Sequence, residues 1–387
     1  MKIRRIIALA ALALAGSLLL LSACGGAAKQ GTIKIGAVLA VTGPAGNLGA
    51  PEKKTLEMLV ADINKNGGVN GQQIQLIVKD TQASADNAVS FTKQLIEEEK
   101  VLAIIGPTTS GESLAVKKLA EDNKVILISC AAAESIVIPV SPWVFKTPQN
   151  DANAAIMIFK DMQSRNIKKI GIVTANSGFG KGGKDQLEKY ASQYGITIVI
   201  SEVYDSKAAD LTDVMTKVKN MNVEAVVNWS IEPAQSIVIK NMRQIGMKQP
   251  LYQSHGFGNL AYVQAAGPAA EGVLFPAGRM LVADVLPADH PQKKVLTDYK
   301  NAYESKYNEP VSTFGGHAYD ALMILIEAIK KAGSTDKEAV RAALEKITGF
   351  AGTGGIFNYS ATDHNGLDIT AFEMLTVKDG KFILYTK

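Results

Sequence analysis

Residues 101–128, VLAIIGPTTSGESLAVKKLAEDNKVILI, decide the fold of this chain. An apolar run at 101–105 is followed by a helical pattern at 111–122 and by a second apolar run at 125–128. Both runs are uncharged and rich in β-branched residues, which is typical of strands that are buried on both faces. A strand, a helix and a second strand in this order predict a βαβ unit, whose two strands lie parallel in one sheet.

The same alternation extends to both sides of this unit. Further strands are predicted at 33–41 and 74–79, and further helices at 52–64 and 85–99. The pattern breaks around 141–148 and then restarts with strands and helices in alternation, at 152–165, 169–175, 181–194, 196–203, 211–219, 225–229 and 234–245. Two runs of βα units predict an α/β protein with two Rossmann-like lobes, each built on a parallel sheet.

The C-terminal part of the chain predicts that the lobes are not continuous in sequence. It is mainly helical from about 280 to 347 and ends in predicted strands near 354–359 and 370–385. A single lobe would not end in this way, so we expect the chain to cross between the lobes more than once. The predicted N-terminal lobe comprises 31–150 and 280–352, and the predicted C-terminal lobe comprises 151–279 and 353–387.

The N-terminus predicts export. A basic segment at 1–5 precedes an apolar run at 6–21, and small residues follow up to Cys24. Leu21-Ser22-Ala23-Cys24 resembles the bacterial lipoprotein signal, in which the cysteine is lipidated and becomes the first mature residue. We therefore predict a signal peptide at 1–23 and a lipidated tether at 24–30. The alternative is an ordinary signal peptide with a cysteine there by chance.

Composition limits the classes of function. The chain has 387 residues, which suits two domains, and three of the charges behind its formal net charge of +4 lie in residues 1–5. The nearly neutral mature chain predicts no nucleic-acid partner. With Cys24 lipidated, Cys130 has no cysteine to pair with, and four scattered histidines give no metal-ligand spacing.

The strand at 101–105 runs into a turn that is rich in small hydroxyl side chains. In open α/β sheets, ligands bind beyond the carboxyl ends of the strands. Thr109 and Glu112 match a capping box, which explains Thr109 but not Thr108 or Ser110. A helix start with free N–H groups and hydroxyls also suits a carboxylate. Helix capping and anion binding both remain open at this turn.

Two other turns follow predicted strands. Ala131, Ala132 and Ala133 allow a ligand to approach the backbone, although a tightly packed loop is the better explanation of these residues taken alone. The glycines of the second turn, Gly178, Gly180 and Gly183, satisfy G-x-G-x-x-G, with Glu202 at a suitable distance. Because Ala175-Asn176-Ser177 stand before the first glycine, the glycines do not follow the strand directly, and we favour a loop that presents Phe179 to a cleft over a dinucleotide site. Other catalytic patterns are missing from the sequence, so we predict neither an enzyme nor a cofactor.

Several motifs taken together carry a resemblance to a known family. They are Thr32–Ala37 with Thr42-Gly43-Pro44 and Gly49, Ala61–Asn64 with Gly67–Gly71, Ile105–Pro107 with Thr109-Ser110, and Asn176–Gly180. In order and spacing the chain is similar to the leucine/isoleucine/valine-binding protein family, the type I periplasmic binding proteins of branched-chain amino acid ABC importers. The resemblance implies three crossovers between the lobes and a ligand that is trapped as the lobes close.

The resemblance also implies site residues. Ser110, with Thr109 beside it, and backbone groups near Ala131 would bind the ligand carboxylate, and Phe179 would form an aromatic wall. The remaining pocket positions fall near Leu48, Trp229 and Phe314. The disulfide that is usual in the first lobe of the family is absent, with Gln82 and Thr109 at about those places.

Two departures concern the ligand. Ala133 replaces a hydroxyl residue that contacts the amino acid head group, and His255 stands near the position of the acid that pairs with the ligand ammonium. A buried ammonium without a carboxylate is costly. The sequence therefore predicts a carboxylate ligand with an apolar or aromatic body and no ammonium. The alternative is a shifted alignment in which Glu232 or another acid binds an amino acid.

From these features we predict a solute-binding lipoprotein that delivers a small carboxylate or an amino acid to importer permease subunits. It would act outside the cytoplasm as a monomer, attached to the membrane by its lipid. Two rival predictions are a ligand-sensing receptor component of the same fold and a nicotinamide-dependent enzyme that uses the glycine loop.

Overall fold

The structure is a computed structural model that describes residues 31–386. The predicted signal peptide, Cys24 and the predicted tether lie outside the described residues. Within residues 31–386, every helix is too short or too polar to cross a membrane.

The first sheet consists of five parallel strands in the order β2-β1-β3-β4-β5. Its strands are β1 (Ile33–Leu39), β2 (Ile74–Asp80), β3 (Ala103–Ile105), β4 (Ile126–Ser129) and β5 (Val144–Lys146). The helices that connect them are α1 (Gly46–Lys65), α2 (Ala85–Glu97) and α3 (Ser110–Asp122). The predicted βαβ unit is therefore confirmed in β3, α3 and β4.

The central strands β3 and β4 of the first sheet are buried on both faces, as the uncharged runs at 101–105 and 125–128 predict. In β3, Ala103 and Ile105 pack into one apolar cluster, while Ile104 packs into another on the opposite face. The first cluster also contains one face of a long C-terminal helix, α10 (Thr313–Ala332). Alternate residues of one strand thus serve two cores, which is why its sequence is apolar without interruption.

The second sheet has seven strands in the order β14-β13-β10-β9-β8-β6-β7. The parallel part consists of β6 (Lys169–Ala175), β7 (Thr197–Tyr204), β8 (Ala225–Trp229), β9 (Leu251–Gln253) and β10 (Leu274–Ala277). The strands β13 (Glu373–Lys378) and β14 (Lys381–Leu384) add an antiparallel edge. Asp379 and Gly380 join them in a two-residue turn with positive φ angles of 52° and 72°.

The remaining elements complete the two lobes. The second lobe contains α4 (Asp151–Ser164), α5 (Gly178–Tyr190), α6 (Thr212–Asn220), α7 (Ala234–Gln244) and α8 (Leu260–Ala266). Later in the chain lie α9 (Lys293–Tyr307), α10, α11 (Lys337–Leu344) and the short strands β11 (Phe350–Ala351) and β12 (Ile356–Phe357). The predicted α/β fold with two lobes of parallel strands is confirmed.

Three crossovers connect the lobes. The first runs from β5 to α4, and the second follows β10. The third lies between two adjacent residues, because Ala371 packs in the core of the first lobe and Phe372 packs in the core of the second. Gln149 of the first crossover donates a hydrogen bond of 2.7 Å to the carbonyl of Gly354. The lobe boundaries remain a prediction. Because Phe357 packs in the core of the first lobe, we favour placing the last boundary at about residue 372 rather than at 353.

Candidate functional site

A cavity lies between the lobes at the carboxyl ends of both sets of parallel strands. The chain reverses its direction of travel across the sheet between β1 and β3 in the first lobe, and between β6 and β8 in the second. Loops that follow these strands form walls of the cavity, as expected for an open α/β sheet. It is lined by Leu48, Thr108, Ser110, Cys130, Ala131, Ala132, Pro148, Phe179, Ile231, His255, Gly256, Phe314 and His317.

The wall of the cavity carries no carboxylate and no lysine or arginine among the residues that the structure describes. It is apolar apart from hydroxyls, a thiol, backbone groups and two imidazoles. Of the nine predicted ligand-binding residues, the structure brings six to this wall, namely Leu48, Ser110, Ala131, Phe179, His255 and Phe314. Thr109, Ala133 and Trp229 are not part of this wall.

Ser110 and Thr109 have different positions although they are neighbours in sequence. The Thr109 hydroxyl caps α3 by accepting from the Glu112 N–H at 3.4 Å, and Glu112 closes the capping box. Ser110 is the first residue of α3 and faces the cavity, with its Oγ accepting from the N–H of Ala133 at 3.2 Å. That bond leaves the hydroxyl proton of Ser110 available. The backbone N–H groups of the first helical turn lie beside it, which suits a carboxylate.

The loop after β4 is held by hydroxyl groups beneath it. The N–H of Ala131 donates to Oγ of Ser129 at 3.0 Å, and Ser129 in turn shares a hydrogen bond with Ser113 at 2.8 Å. Ala133 does not reach the cavity, and its N–H orients Ser110. A contact of Ala133 with a ligand therefore remains a prediction, while its positioning of Ser110 is direct.

Aromatic rings form the wall in the second lobe. Phe179 faces the cavity, and Trp229 packs behind it with the ring centroids 5.8 Å apart. His255 makes edge contacts with both rings, at 5.3 Å and 5.7 Å. Trp229 is fully buried. It therefore supports the two rings of the wall rather than lining it.

His255 has a carboxylate neighbour that the sequence analysis missed. Asp151, the first residue of α4, lies with Oδ1 at 3.5 Å from Nε2 of His255, and both of its oxygens lack a hydrogen-bond partner. Burial raises the pKa of Asp151, and Lys146 opposes this effect. Burial, followed by the charge of Lys146, lowers the pKa of His255 well below its ordinary value. At neutral pH the imidazole that faces the cavity is therefore neutral.

Lys146, at the end of β5, is a buried cation beside the cavity. Its Nζ donates to the carbonyl oxygens of Ala132 at 2.8 Å and of Pro148 at 3.2 Å. Burial lowers the pKa of this lysine, and Asp151 opposes that shift. Since Pro148 belongs to the first crossover, Lys146 ties the hinge to the floor of the cavity.

His317, in the first turns of α10, also faces the cavity and was missed from the sequence. Its Nδ1 is buried without a hydrogen-bond partner. Burial and the charge of Lys146 lower its pKa to about 3, so this ring is neutral as well. The sequence does contain a signal for His317 as a site residue. It lies three residues after the predicted site residue Phe314, and residues three apart share one face of a helix.

Thr108, which capping left unexplained, connects the wall to a buried acid. Its Oγ1 accepts from the N–H of Ala40 at 3.0 Å and donates to Glu52 at 2.5 Å. Burial raises the pKa of Glu52 well above its ordinary value. This hydroxyl is therefore already bonded on the protein side.

The glycine loop has a packing explanation. A Cβ at Gly180 would lie 2.0 Å from the carbonyl oxygen of Ala175, and one at Gly183 would lie 2.2 Å from Nε1 of Trp229. A Cβ at Gly178 would lie 2.7 Å from the backbone nitrogen of Gly111 in the other lobe. Each glycine of the motif is thus required by close contact, which gives a physical reason for the motif without a dinucleotide.

Contacts between the lobes surround the cavity. Besides the approach of Gly178 to Gly111, Gln186 donates to Glu134 at 2.8 Å and Asn259 donates to the carbonyl of Asn47 at 2.8 Å. The lobes are therefore in a closed arrangement. Within residues 31–386, no three His, Cys, Asp or Glu side chains are grouped in a way that would hold a metal ion.

Comparisons with known proteins agree with this architecture. The sequence pattern of a family described as periplasmic binding protein matches residues 32–381. The leucine-, isoleucine-, valine-, threonine- and alanine-binding protein of Pseudomonas aeruginosa is 26% identical over 344 residues, which cover 88% of this chain and 90% of that protein.

Two solved structures are also similar. An extracellular ligand-binding receptor from Rhodopseudomonas palustris HaA2 has a TM-score of 0.87 and 28% identity, and the match covers 92% of this chain and all of that one. The branched-chain amino acid transporter substrate-binding protein LivJ of Streptococcus pneumoniae, solved with isoleucine, has a TM-score of 0.81 and 28% identity, with 91% and 97% covered.

Proposed function

This chain belongs to the periplasmic binding protein family, and from that premise we propose that it is the extracytoplasmic binding component of an ABC importer and closes its lobes around one small carboxylate. The family is one of solute-binding proteins rather than enzymes. We further propose that the ligand has an apolar or aromatic body and no ammonium group, and that it is released unchanged.

The observation that carries the proposal is the composition of the cavity wall. Ser110 at the start of α3 offers a hydroxyl and helix N-terminal dipoles to an anion, while Leu48, Phe179 and Phe314 offer apolar surface to its body. A carboxylate bound there would receive charge-assisted hydrogen bonds, which are stronger than neutral ones.

The absence of a carboxylate from the described wall argues against an ammonium on the ligand. Glu232, the acid that the alternative alignment would use, is not part of the wall, and its Oε2 accepts from the hydroxyl of Ser230 at 2.7 Å. Asp151 is not part of the wall either, and its Oδ1 lies 3.5 Å from Nε2 of His255, which is part of it. An ammonium in this cavity would give up its hydration without gaining a direct ionic partner.

A second candidate is a hydrophobic amino acid. It is favoured by the branched-chain amino acids named for similar proteins and by the two unpartnered oxygens of Asp151. In that case a shift of the His255 ring would have to open a path from the ammonium to Asp151. The two candidates therefore differ in what His255 does.

The mechanism that we propose is a population shift. The ligand binds between lobes that open and close on the three crossovers, and it stabilises the closed form by contacting both lobes at once. The bonds of Gln186 to Glu134 and of Asn259 to Asn47 form only in the closed arrangement and add to its stability. The closed form would then dock on the permease subunits of the importer.

Attachment through a lipidated Cys24, action as a monomer and delivery to permease subunits are parts of the same proposal. A receptor component of the same fold would bind ligand in the same way and differ only in the protein to which it docks. Co-purification with an ATP-binding permease complex supports transport, whereas co-purification with a signalling receptor supports sensing.

A thermal-shift screen of the purified protein tests the proposed ligand class. A ligand that binds only the folded protein raises the melting temperature by mass action. We expect aromatic and branched aliphatic carboxylates that have no ammonium group to raise the melting temperature. We expect leucine and nicotinamide dinucleotides to leave it unchanged. A shift with branched-chain amino acids alone would establish the second candidate, and a shift with a dinucleotide would revive the enzyme hypothesis.

A further inference from the structure

Two histidines face the cavity from opposite lobes, and three of their four ring nitrogens are buried without a hydrogen-bond partner among the described residues. His255 has neither nitrogen bonded, and His317 has a buried, unbonded Nδ1. The rings are only 7% and 5% exposed, so bulk water does not satisfy them. Buried polar atoms in folded proteins are nearly always hydrogen-bonded, and the exceptions need an explanation.

The other hydroxyls of the wall are already engaged. Ser110 accepts from Ala133 and is aimed at the carboxylate of the ligand, while Thr108 is bonded to both Ala40 and Glu52. His255 has Asp151 at 3.5 Å as a potential partner on the protein side. Among the described residues, Nδ1 of His317 has no hydrogen-bond partner, so we assign its partner to the molecule that fills the cavity.

The protonation state of His317 limits what that partner is. With its pKa lowered to about 3, the ring is a neutral imidazole at neutral pH, with one N–H donor and one acceptor nitrogen. The cation of Lys146 is near enough to affect both histidines, and it disfavours an ammonium at this place. The Lys146 protons are directed to backbone carbonyls, so a second carboxylate would meet no donor with a full charge.

We propose that the ligand carries a hydroxyl group in addition to its carboxylate, and that His317 binds this hydroxyl and so determines specificity. A hydroxyl is neutral, and it both donates and accepts, which matches a neutral imidazole. Together with the aromatic wall, this narrows the ligand to hydroxylated aromatic acids. The inference rests on the proposed function, because it assumes that the carboxylate lies at Ser110.

Isothermal titration of the purified protein with benzoate, 3-hydroxybenzoate and 4-hydroxybenzoate tests the inference. We expect at least one hydroxybenzoate to bind about tenfold or more tightly than benzoate, the gain of one hydrogen bond to an otherwise unpartnered group. His317→Phe keeps a planar ring without the nitrogens, so it should abolish the preference for a hydroxybenzoate over benzoate. His317→Gln, which keeps a donor and an acceptor, should restore part of the preference.

The outcomes separate the two hypotheses. Equal affinity of the wild-type protein for benzoate and both hydroxybenzoates overturns the inference and leaves the proposed function standing. A preference that survives in His317→Phe also overturns it. Binding of none of these acids, together with binding of leucine, overturns the proposed function and the inference with it. The melting temperature of each unliganded variant reports whether it folds, and His317→Leu replaces His317→Phe if that variant does not.

Discussion

Gly178→Ala should weaken ligand binding without unfolding the protein. Gly178 begins α5 in the second lobe, and a Cβ there would lie 2.7 Å from the backbone nitrogen and 2.8 Å from the Cα of Gly111 in the first lobe. Nonbonded carbon atoms pack at about 3.5–4.0 Å, so the lobes would have to separate by about 1 Å. The open form has no such contact and should tolerate the methyl group.

The magnitude follows from the bonds that this separation breaks. A hydrogen bond lengthened by about 1 Å is lost, and one bond to a charged carboxylate contributes about 1.5–3 kcal/mol. The affinity should therefore fall by about 10- to 100-fold. Alanine is favoured over glycine in a helix by up to about 1 kcal/mol, so the unliganded melting temperature should stay the same or rise.

The assay combines calorimetry with fluorescence. Trp143 and Trp229 are the two tryptophans of the chain, so Trp143→Phe leaves Trp229, behind Phe179, as a reporter of closure. Gly111→Ala is the matched control, because its Cβ would lie 3.9 Å from the nearest atom of the other lobe and should leave binding intact. Wild-type affinity in Gly178→Ala would refute the argument that ligand binding requires this closed contact.

Three further predictions concern single side chains. Ser110→Ala should weaken carboxylate binding by about 10- to 100-fold in calorimetry. Thr109→Ala should lower the free energy of unfolding by about 1 kcal/mol, because the helix cap is lost, and should leave the affinity unchanged. Equal effects of the two variants on affinity would contradict their separate roles. The pKa of His317 is lowered in the folded protein, so its contribution to the free energy of unfolding is complete above pH 6.5 and is lost as the pH falls toward 3. Between pH 7 and pH 5, the free energy of unfolding measured in urea should therefore fall by about 2 kcal/mol more in the wild-type protein than in His317→Phe. Parallel pH profiles of the two proteins would refute this prediction. Lys146→Met leaves buried carbonyls and Asp151 without their cation and should lower the free energy of unfolding by about 3 kcal/mol, and an unchanged urea midpoint would show that the buried charge is dispensable.

Much of the fold follows from local sequence patterns. Long elements such as β1 and α1 contain a repeated spacing of apolar residues and glycines near their ends. Their bounds are therefore predicted within a few residues, apart from the first turns of α1. The elements that were missed, β5, β9, β10, β11 and α8, have two to seven residues. A window of that size contains at most about two periods of a strand or a helix, which is too few to identify the element, and the formation of these elements depends on neighbouring strands that are distant in sequence.

The candidate site divides in the same way. Ser110 and Phe179 follow predicted strands, and the rule that ligands bind at the carboxyl ends of strands locates them. Asp151, Lys146 and His317 were not predicted, because their importance comes from burial beside one another. Lys146 ends an apolar strand and Asp151 begins a helix, and both positions are ordinary until the hinge brings them together.

The central feature of the proposed function is a ligand that has a carboxylate and no ammonium. The direct test is calorimetric titration with acids that differ only at the α-carbon, leucine against 4-methyl-2-oxopentanoate and phenylalanine against phenylpyruvate. A wall without a carboxylate in its described part predicts that a keto acid binds at least about tenfold more tightly than its amino acid partner. Tighter binding of either amino acid would contradict the account and would show that Asp151, through a displaced His255, takes the ammonium.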